Sequence, residues 1–236
     1  MQDLNLKNWT TDISNKLTAL KIKINSNEIA KSLYGGFYVW DSKFIENPEI
    51  MFIGINPGNG NPNNSGKIVT EPENQISYLE FMDGENPNYR LAKETIKAFE
   101  LAGYSISEIR KILNEKSIKT NFYYLITKNQ TDISKCINQL QNYSFNDFWQ
   151  QSYKWTGQLI ELTEPKVIIC EGKSVFDTVK DYDDIVESNW KHDCGYVKRP
   201  NGQIILGYNR VFSNIKNKEE FSKLIKQFIK KENQWK

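Results

Sequence analysis

The residues of this chain whose type and position are suited to chemistry are asparagines at the ends of apolar runs. Gly54-Ile55-Asn56-Pro57-Gly58-Asn59-Gly60-Asn61-Pro62 follows the apolar run that begins at Glu49. Asn121 stands in Thr120-Asn121-Phe122, Asn209 and Arg210 close the run from Gln203, and Lys173 and Ser174 follow Gly172. A carboxamide offers a donor and an acceptor but does not titrate, so it can orient a water or read a polar edge without acting as a carboxylate base would. An adjacent arginine adds a fixed positive charge for an anion formed during a reaction. Gly, Pro and Asn are also ordinary turn formers, so composition alone leaves a plain turn open at Gly54–Pro62. The three cysteines, Cys136, Cys170 and Cys194, form no Cys-x-x-Cys pair, so their spacing encodes neither zinc nor an iron–sulfur cluster, and no metal or cofactor is expected. His192, the single histidine, reads as an ordinary loop or surface residue. Gly172-Lys173-Ser174 has the form of a P-loop tail, but Val167 stands where the first P-loop glycine belongs, which argues against nucleoside triphosphate binding.

Four short runs, Glu49–Asn56, Ile118–Ile126, Lys166–Gly172 and Gln203–Asn209, read as strands. The first and third are β-branched and continuously apolar, the pattern of parallel strands covered on both faces. Helical stripes lie between them. Leu91, Thr95, Ala98, Phe99 and Ala102 share a face that stops at Gly103. Ser107 is suited to cap a turn carrying Ile109, Ile112 and Leu113. A long stripe from Phe145 through Trp149 and Thr156 to Ile160 ends before Pro165, and Phe221, Leu224, Ile225 and Phe228 mark a C-terminal helix. Alternating strands and helices predict an α/β fold, a three-layer αβα sandwich around a mainly parallel four-stranded sheet. Asn201-Gly202 between two strand-like runs adds an antiparallel hairpin at the sheet edge. Residues 1–34, amphipathic around Trp9, Ile13, Leu17 and Leu20, read as a helical prefix packed on a domain spanning 35–236. In open α/β sheets ligands collect at the carboxyl ends of strands, which is where the asparagines fall.

Gly54-Ile55-Asn56-Pro57-Gly58 directly after an apolar strand resembles the first motif of the mismatch-specific uracil and thymine-DNA glycosylases, within the uracil-DNA glycosylase superfamily. Thr120-Asn121-Phe122 resembles the family's strand asparagine, Val167 to Lys173 its third strand and Gly-Lys turn, and Gln203 to Phe212 the place of its second motif. The resemblance covers about Glu49 to Phe228. It departs at the second motif, commonly His-Pro-Ser in the family, where this chain has Gly207-Tyr208-Asn209-Arg210-Val211-Phe212. The resemblance implies a monofunctional DNA glycosylase that flips a uracil-like or 5-modified pyrimidine out of DNA and hydrolyses its bond to the sugar. Asn56 would then orient the water, and Asn209 and Arg210 would stabilise the departing base. Gly54, Ile55, Pro57, Gly58, Asn121 and Tyr208 would form the base pocket, with Tyr78 or Phe81 stacking on the base, although either aromatic suits the core equally well. Asn121 serves equally well as a strand-end residue with no part in recognition. Gly58 stands where the uracil-specific branch places a tyrosine that excludes 5-substituents, so a larger base is admitted. Lys173 and Ser174 would hold phosphate, and Val211 or Phe212 would wedge into the gap left by the base. Glu71, Glu80 and Asp83 either assist the water or are solvated loop acids. The lysines read as solvated surface, so no Schiff-base nucleophile is expected. Two other readings stay open: a degenerate member that binds modified DNA without cutting it, and a hydrolase of free nucleosides.

Composition sets the limits of these readings. The 236 residues carry 31 basic and 29 acidic side chains, a net charge of +2, which permits a small local footprint on DNA and argues against wrapping a long duplex. Hydrophobic residues at 39% suffice for a core without disulfides. No signal peptide or membrane span is recognised, and a monomeric protein of the reducing cytoplasm is expected.

Overall fold

The computed structural model describes residues 5–58, 66–71, 75–84 and 89–229, with the side chains of Phe81 and Gly84 outside that description. The chain opens with α1 (Leu6–Asn25) and α2 (Glu28–Leu33), followed by β1 (Phe37–Tyr38), β2 (Ile50–Gly54) and β3 (Ile68–Val69). Next come α3 (Glu80–Gly84), α4 (Arg90–Leu101), α5 (Ile106–Glu115), β4 (Ser117–Asn121), α6 (Gln130–Asn138) and α7 (Phe145–Thr163). The last part holds β5 (Val167–Cys170), α8 (Lys173–Val179), β6 (Glu187–Lys191), β7 (Cys194–Lys198), β8 (Ile204–Tyr208), β9 (Arg210–Val211), β10 (Asn214–Ile215) and α9 (Lys218–Phe228).

The central sheet has six strands in the order β4-β2-β5-β8-β7-β6, not the four expected. The four strands read from the sequence are its parallel part, β4, β2, β5 and β8. β7 then runs antiparallel to β8 through the Asn201-Gly202 turn, with Gly202 at φ 85°, and β6 runs antiparallel to β7. β6 escaped the sequence reading because Glu-Ser-Asn-Trp-Lys carries no apolar alternation: it is a mostly exposed edge strand. Its turn to β7 uses His192 and Asp193, at φ 52° and 68°, the positive-φ pair that a tight two-residue hairpin requires.

Side chains along the parallel strands alternate between two cores, because successive residues of a strand point to opposite faces. Ile50, Phe52, Val167, Ile169 and Leu206 pack with Phe99 of α4, Ile109 of α5 and Phe221 of α9. Met51, Ile53, Ile118, Ile168 and Ile205 pack with Ile13 and Leu17 of α1, Ile133 of α6, Leu159 of α7 and Val175 of α8. The sheet is thus covered by helices on both faces. α1 contributes Trp9, Ile13, Leu17, Leu20 and Ile24, a stripe at helical spacing that is buried throughout. Ser105, not Ser107, caps α5. Its side chain accepts from the Glu108 N–H while Glu108 reaches back to the Ser105 N–H, a reciprocal pair that Ser107 has no acid positioned to complete. Among the described residues no helix is long and apolar enough to cross a membrane.

Candidate functional site

The carboxyl ends of β2, β4, β5 and β8 border a cleft of about 670 Å³. Gly54, Ile55, Asn56, Gly58, Asn121, Lys173, Ser174, Asn209, Arg210 and Phe212 line it, so the strand-end residues singled out in the sequence meet around one opening. A second cavity of about 680 Å³ lies beside Pro165 and Gln203, before the starts of β5 and β8, and holds none of them. The first lies where the loops diverge at the carboxyl ends of the strands, the usual place for a ligand in an open α/β sheet.

Asn56 is half-buried on the loop after β2. Its Nδ2 faces three acceptors: the Pro57 carbonyl at 3.1 Å, Thr127 Oγ1 at 3.2 Å and the Thr127 carbonyl at 3.5 Å. The Thr127 hydroxyl spends its proton on the Asn129 carbonyl at 2.8 Å, so it accepts from Asn56. A flipped amide would set Oδ1 against those same oxygens. Asn56 Oδ1 is therefore the atom left for the cleft, and among the described residues it has no hydrogen-bond donor. The Pro57 ring is buried and does not line the cleft; its contribution is that carbonyl.

The floor carries a buried polar cluster. Gly54 pairs in register with Asn121 of β4, and a Cβ on Gly54 would collide with Asn121 Oδ1. Glycine there lets the Asn121 carboxamide lie across the neighbouring strand. Asn121 Nδ2 donates to Asp41 Oδ2 at 2.8 Å. Asp41 is anchored by its own N–H to the Lys119 carbonyl at 3.0 Å, next to the bridge between Trp40 and Thr120. Lys119 Nζ is in direct contact with Glu171 Oε2, and the Tyr78 hydroxyl donates to Glu171 Oε1 at 3.3 Å. Lys119 and Glu171 are 2% and 1% exposed. Burial alone would lower the Lys119 pKa, but Glu171, Tyr89 and Asp41 outweigh it and hold the ammonium above its ordinary value. It is a charged structural group, not an activated amine. Burial raises the Asp41 pKa and Glu171 adds to the rise, against the lowering effect of Lys119 and of the Asn121 hydrogen bond.

The loop after β8 corrects part of the sequence reading. Asn209 Nδ2 donates to Asp193 Oδ1 at 2.6 Å, so its amide is committed to the β6–β7 turn. Arg210 is half-buried beside Gly172 and lines the cleft. Tyr208 is not a pocket residue: it is 1% exposed and packs on Phe221 with ring centres 4.7 Å apart, because its position on β8 faces the α9 side. β9 and β10 form a small hairpin that carries Phe212 at its tip, 91% exposed and at φ 54°, with Val211 beside it also exposed.

Other expectations divide similarly. Tyr78 is 2% exposed, with its ring 4.9 Å from that of Phe52, so it belongs to the core and not to a stacking wall; among the described residues the aromatics that line the cleft are Tyr89 and Phe212. The Phe81 side chain and Gly60 lie outside the described residues. Gly58 lines the cleft, and a Cβ there meets nothing within 4 Å. Lys173 Nζ pairs with Asp177 and sits 4.8 Å from the Trp190 ring centre, while Ser174 is exposed. Glu80 accepts from the Ser77 N–H at 2.7 Å and Asp83 pairs with Arg110, so neither is spent on the cleft. The lysines are not all solvated surface, since Lys119 is buried. The sequence reading missed Asp41, Tyr89, Lys119, Glu171 and Thr127. A signal was present for one of them: Glu171 stands in the third run, which reads as a buried strand, and a buried charge demands a partner. Among the described residues no group of His, Cys, Asp and Glu is arranged to hold a metal. Comparison with protein-family models and with curated proteins finds no match to this chain.

Proposed function

We propose that this protein is a monofunctional DNA glycosylase of the uracil-DNA glycosylase type, built as a helix–sheet–helix sandwich, that hydrolyses the bond between a flipped 5-modified or uracil-like pyrimidine and its deoxyribose. The observation that carries this reading is the polarity of Asn56. Its amide nitrogen is held by Thr127 and Pro57, and its oxygen is left to the cleft. A water donating to that oxygen would present its lone pair to the anomeric carbon of a nucleotide in the cleft. As the glycosidic bond stretches, the sugar gains oxocarbenium character and the base gains negative charge. Arg210 on the opposite wall offsets that charge. Phe212 stands at the mouth as the wedge. The open space at Gly58 accommodates a group on the pyrimidine 5-position. In this reading the protein removes modified bases in the cytoplasm, in repair or against invading DNA.

One observation favours a second reading, DNA binding without base release: Asn209 is tied to Asp193 and does not offer its amide to a leaving base. Oligonucleotides carrying uracil, mismatched thymine and 5-modified cytosines separate the two. Heat- or alkali-labile abasic sites should form with the wild-type protein and fall by about 100-fold in Asn56→Ala, the scale of a lost positioning group. Retained DNA binding with no base released by the wild type would favour the second reading.

A further inference from the structure

The two edges of the central sheet are finished differently. Along β4 the chain ahead of β2 lies on the outside: Trp40 bridges to Thr120, the Asp41 N–H donates to the Lys119 carbonyl at 3.0 Å, and Ser42 Oγ accepts from the Lys119 N–H at 2.7 Å. At the opposite edge β6 has β7 as its single neighbouring strand among the described residues. Four of its five residues are exposed, and Ile185 and Val186 lead into it at 44% and 69% exposure. The Asn189 carbonyl points at β7, since a Cβ on Gly195 would collide with its oxygen. Backbone groups alternate in direction along an antiparallel ladder, so Glu187, Asn189 and Lys191 turn their N–H and C=O groups to β7. Ser188 and Trp190 turn theirs outward, where an unpaired row of donors and acceptors is a template for another strand.

We propose that β6 pairs antiparallel with β6 of a second copy of this chain, about a two-fold axis at Asn189, joining the two sheets edge to edge. In that register Ser188 of each copy faces Trp190 of the other, and the outward N–H and C=O groups of all four residues are used. Glu187 of each copy then stands opposite Lys191 of the other, because the two positions lie equally far from the axis. Lys191 is exposed and has no ion pair among the described residues. Glu187 pairs with Lys198 of its own chain but is 46% exposed, and a carboxylate has acceptor sites to spare for a second ammonium. A shift of two residues along the strand loses the match: Glu187 then faces Asn189 or, worse, Asp193. Opposite charges placed across two strands stabilise their pairing and like charges oppose it, so one register is selected. An edge lysine ordinarily deters another strand, and here its charge is met only by a second copy. The pairing does not rest on any reading of the cleft. β6 runs parallel to β8, and the two-fold axis reverses both, so the two clefts open in opposite directions. Five residues from each copy make a small interface, so the association is weak and depends on concentration.

The test is sedimentation of the full chain over roughly 10 µM to 1 mM, the range in which a weak self-association shows. The wild type should pass from monomer to dimer as concentration rises. Ser188→Pro removes an outward N–H that the fold itself does not use, a place where edge strands tolerate proline, and should abolish the dimer. Lys191→Glu sets like charges opposite each other on both sides of the axis and should raise the dissociation constant about tenfold or more. The register is read by cross-linking. Asn189→Cys brings two thiols face to face and should form a disulfide-linked dimer under mild oxidation, whereas Ser188→Cys, opposite Trp190, should not. The native cysteines are buried and do not compete. A wild type that stays monomeric throughout overturns the inference and leaves this edge to a strand of another protein. A dimer that survives Ser188→Pro, or one that Asn189→Cys does not link, overturns it as well, since another surface or another register would then hold the copies together. The wild-type titration and the exposed Lys191→Glu change keep the inference testable if Ser188→Pro fails to fold.

Discussion

Lys119 and Glu171 set the energetics of the cleft floor. Moving either ion out of water costs several kcal/mol, and their direct contact offsets that cost only while both are present. Removing the ammonium alone strands a carboxylate that is 1% exposed. Lys119→Met is therefore expected to lower unfolding free energy by about 3–5 kcal/mol in urea titrations, whereas Lys119→Met/Glu171→Leu should recover most of that loss. Equal destabilisation of the single and double variants would show that packing, not an unpaired charge, is at stake. The Lys119 pKa is raised in the folded protein, so its contribution is complete below the unfolded-state value and is lost only as pH climbs through the raised one, in the strongly alkaline range. The pair therefore acts at full strength at neutral pH. At this scale Asn56 and Asn121 were legible because each stands at the end of an apolar strand, where a carboxamide has few structural reasons to be. Lys119 and Asp41 were not. Lysine is overwhelmingly a surface residue, and Asp41 reaches the floor through a chain excursion between β1 and β2 that no local pattern announces.

The β9–β10 hairpin shows what an element adds to its residues. β8 ends against the α9 side with Tyr208 buried, and the chain then turns out through Arg210 and Val211 to a tip at Phe212. A bulky aromatic at φ 54° costs on the order of 1–3 kcal/mol relative to a relaxed backbone, and at 91% exposure no core packing repays it. Its place on the rim of the cleft suits a side chain that fills a base stack. Phe212→Ala should slow base release from duplex DNA by tenfold or more, reflecting the few kcal/mol that unstacking demands, and leave release from single strands nearly unchanged. Equal loss on both substrates would assign Phe212 to the pocket and not to the stack. The sequence offered Val211 or Phe212 as a wedge beyond the last strand but no hairpin to carry it, because two-residue strands have no periodicity. The four parallel strands were legible from their continuous apolar runs, and the α7 stripe from its spacing and the proline beyond it. β6 was not, since an exposed polar edge strand is defined by the partner it pairs with and not by its own side chains.

Over the whole molecule, 31 basic residues stand against 29 acidic ones, and some of the basic ones are paired in the fold. Lys218 pairs with Glu94, Lys223 with Glu220 and Lys198 with Glu187, so much of the positive charge near the C-terminal helix and the sheet edge is already spoken for. Among the described residues, the cations lining the cleft, apart from buried Lys119, are Lys128, Lys173 and Arg210. Lys128 is exposed, and neither it nor Arg210 has a salt bridge among the described residues. Each phosphate neutralised on duplex DNA contributes about −0.9 to the slope of log affinity against log salt, so three cations predict a slope of about −2 to −3. Titration of a duplex bearing one flippable base across a range of salt concentrations measures that slope. Lys128→Ala should make it shallower by about one with little effect on which base is released, because a phosphate contact positions the strand and does not read it. A much steeper wild-type slope, on the order of −6 or beyond, would mean that DNA runs far past the cleft mouth and engages charge elsewhere on the surface. A slope near zero would mean that the ligand carries no phosphate backbone, and the free nucleoside would then be the substrate to examine.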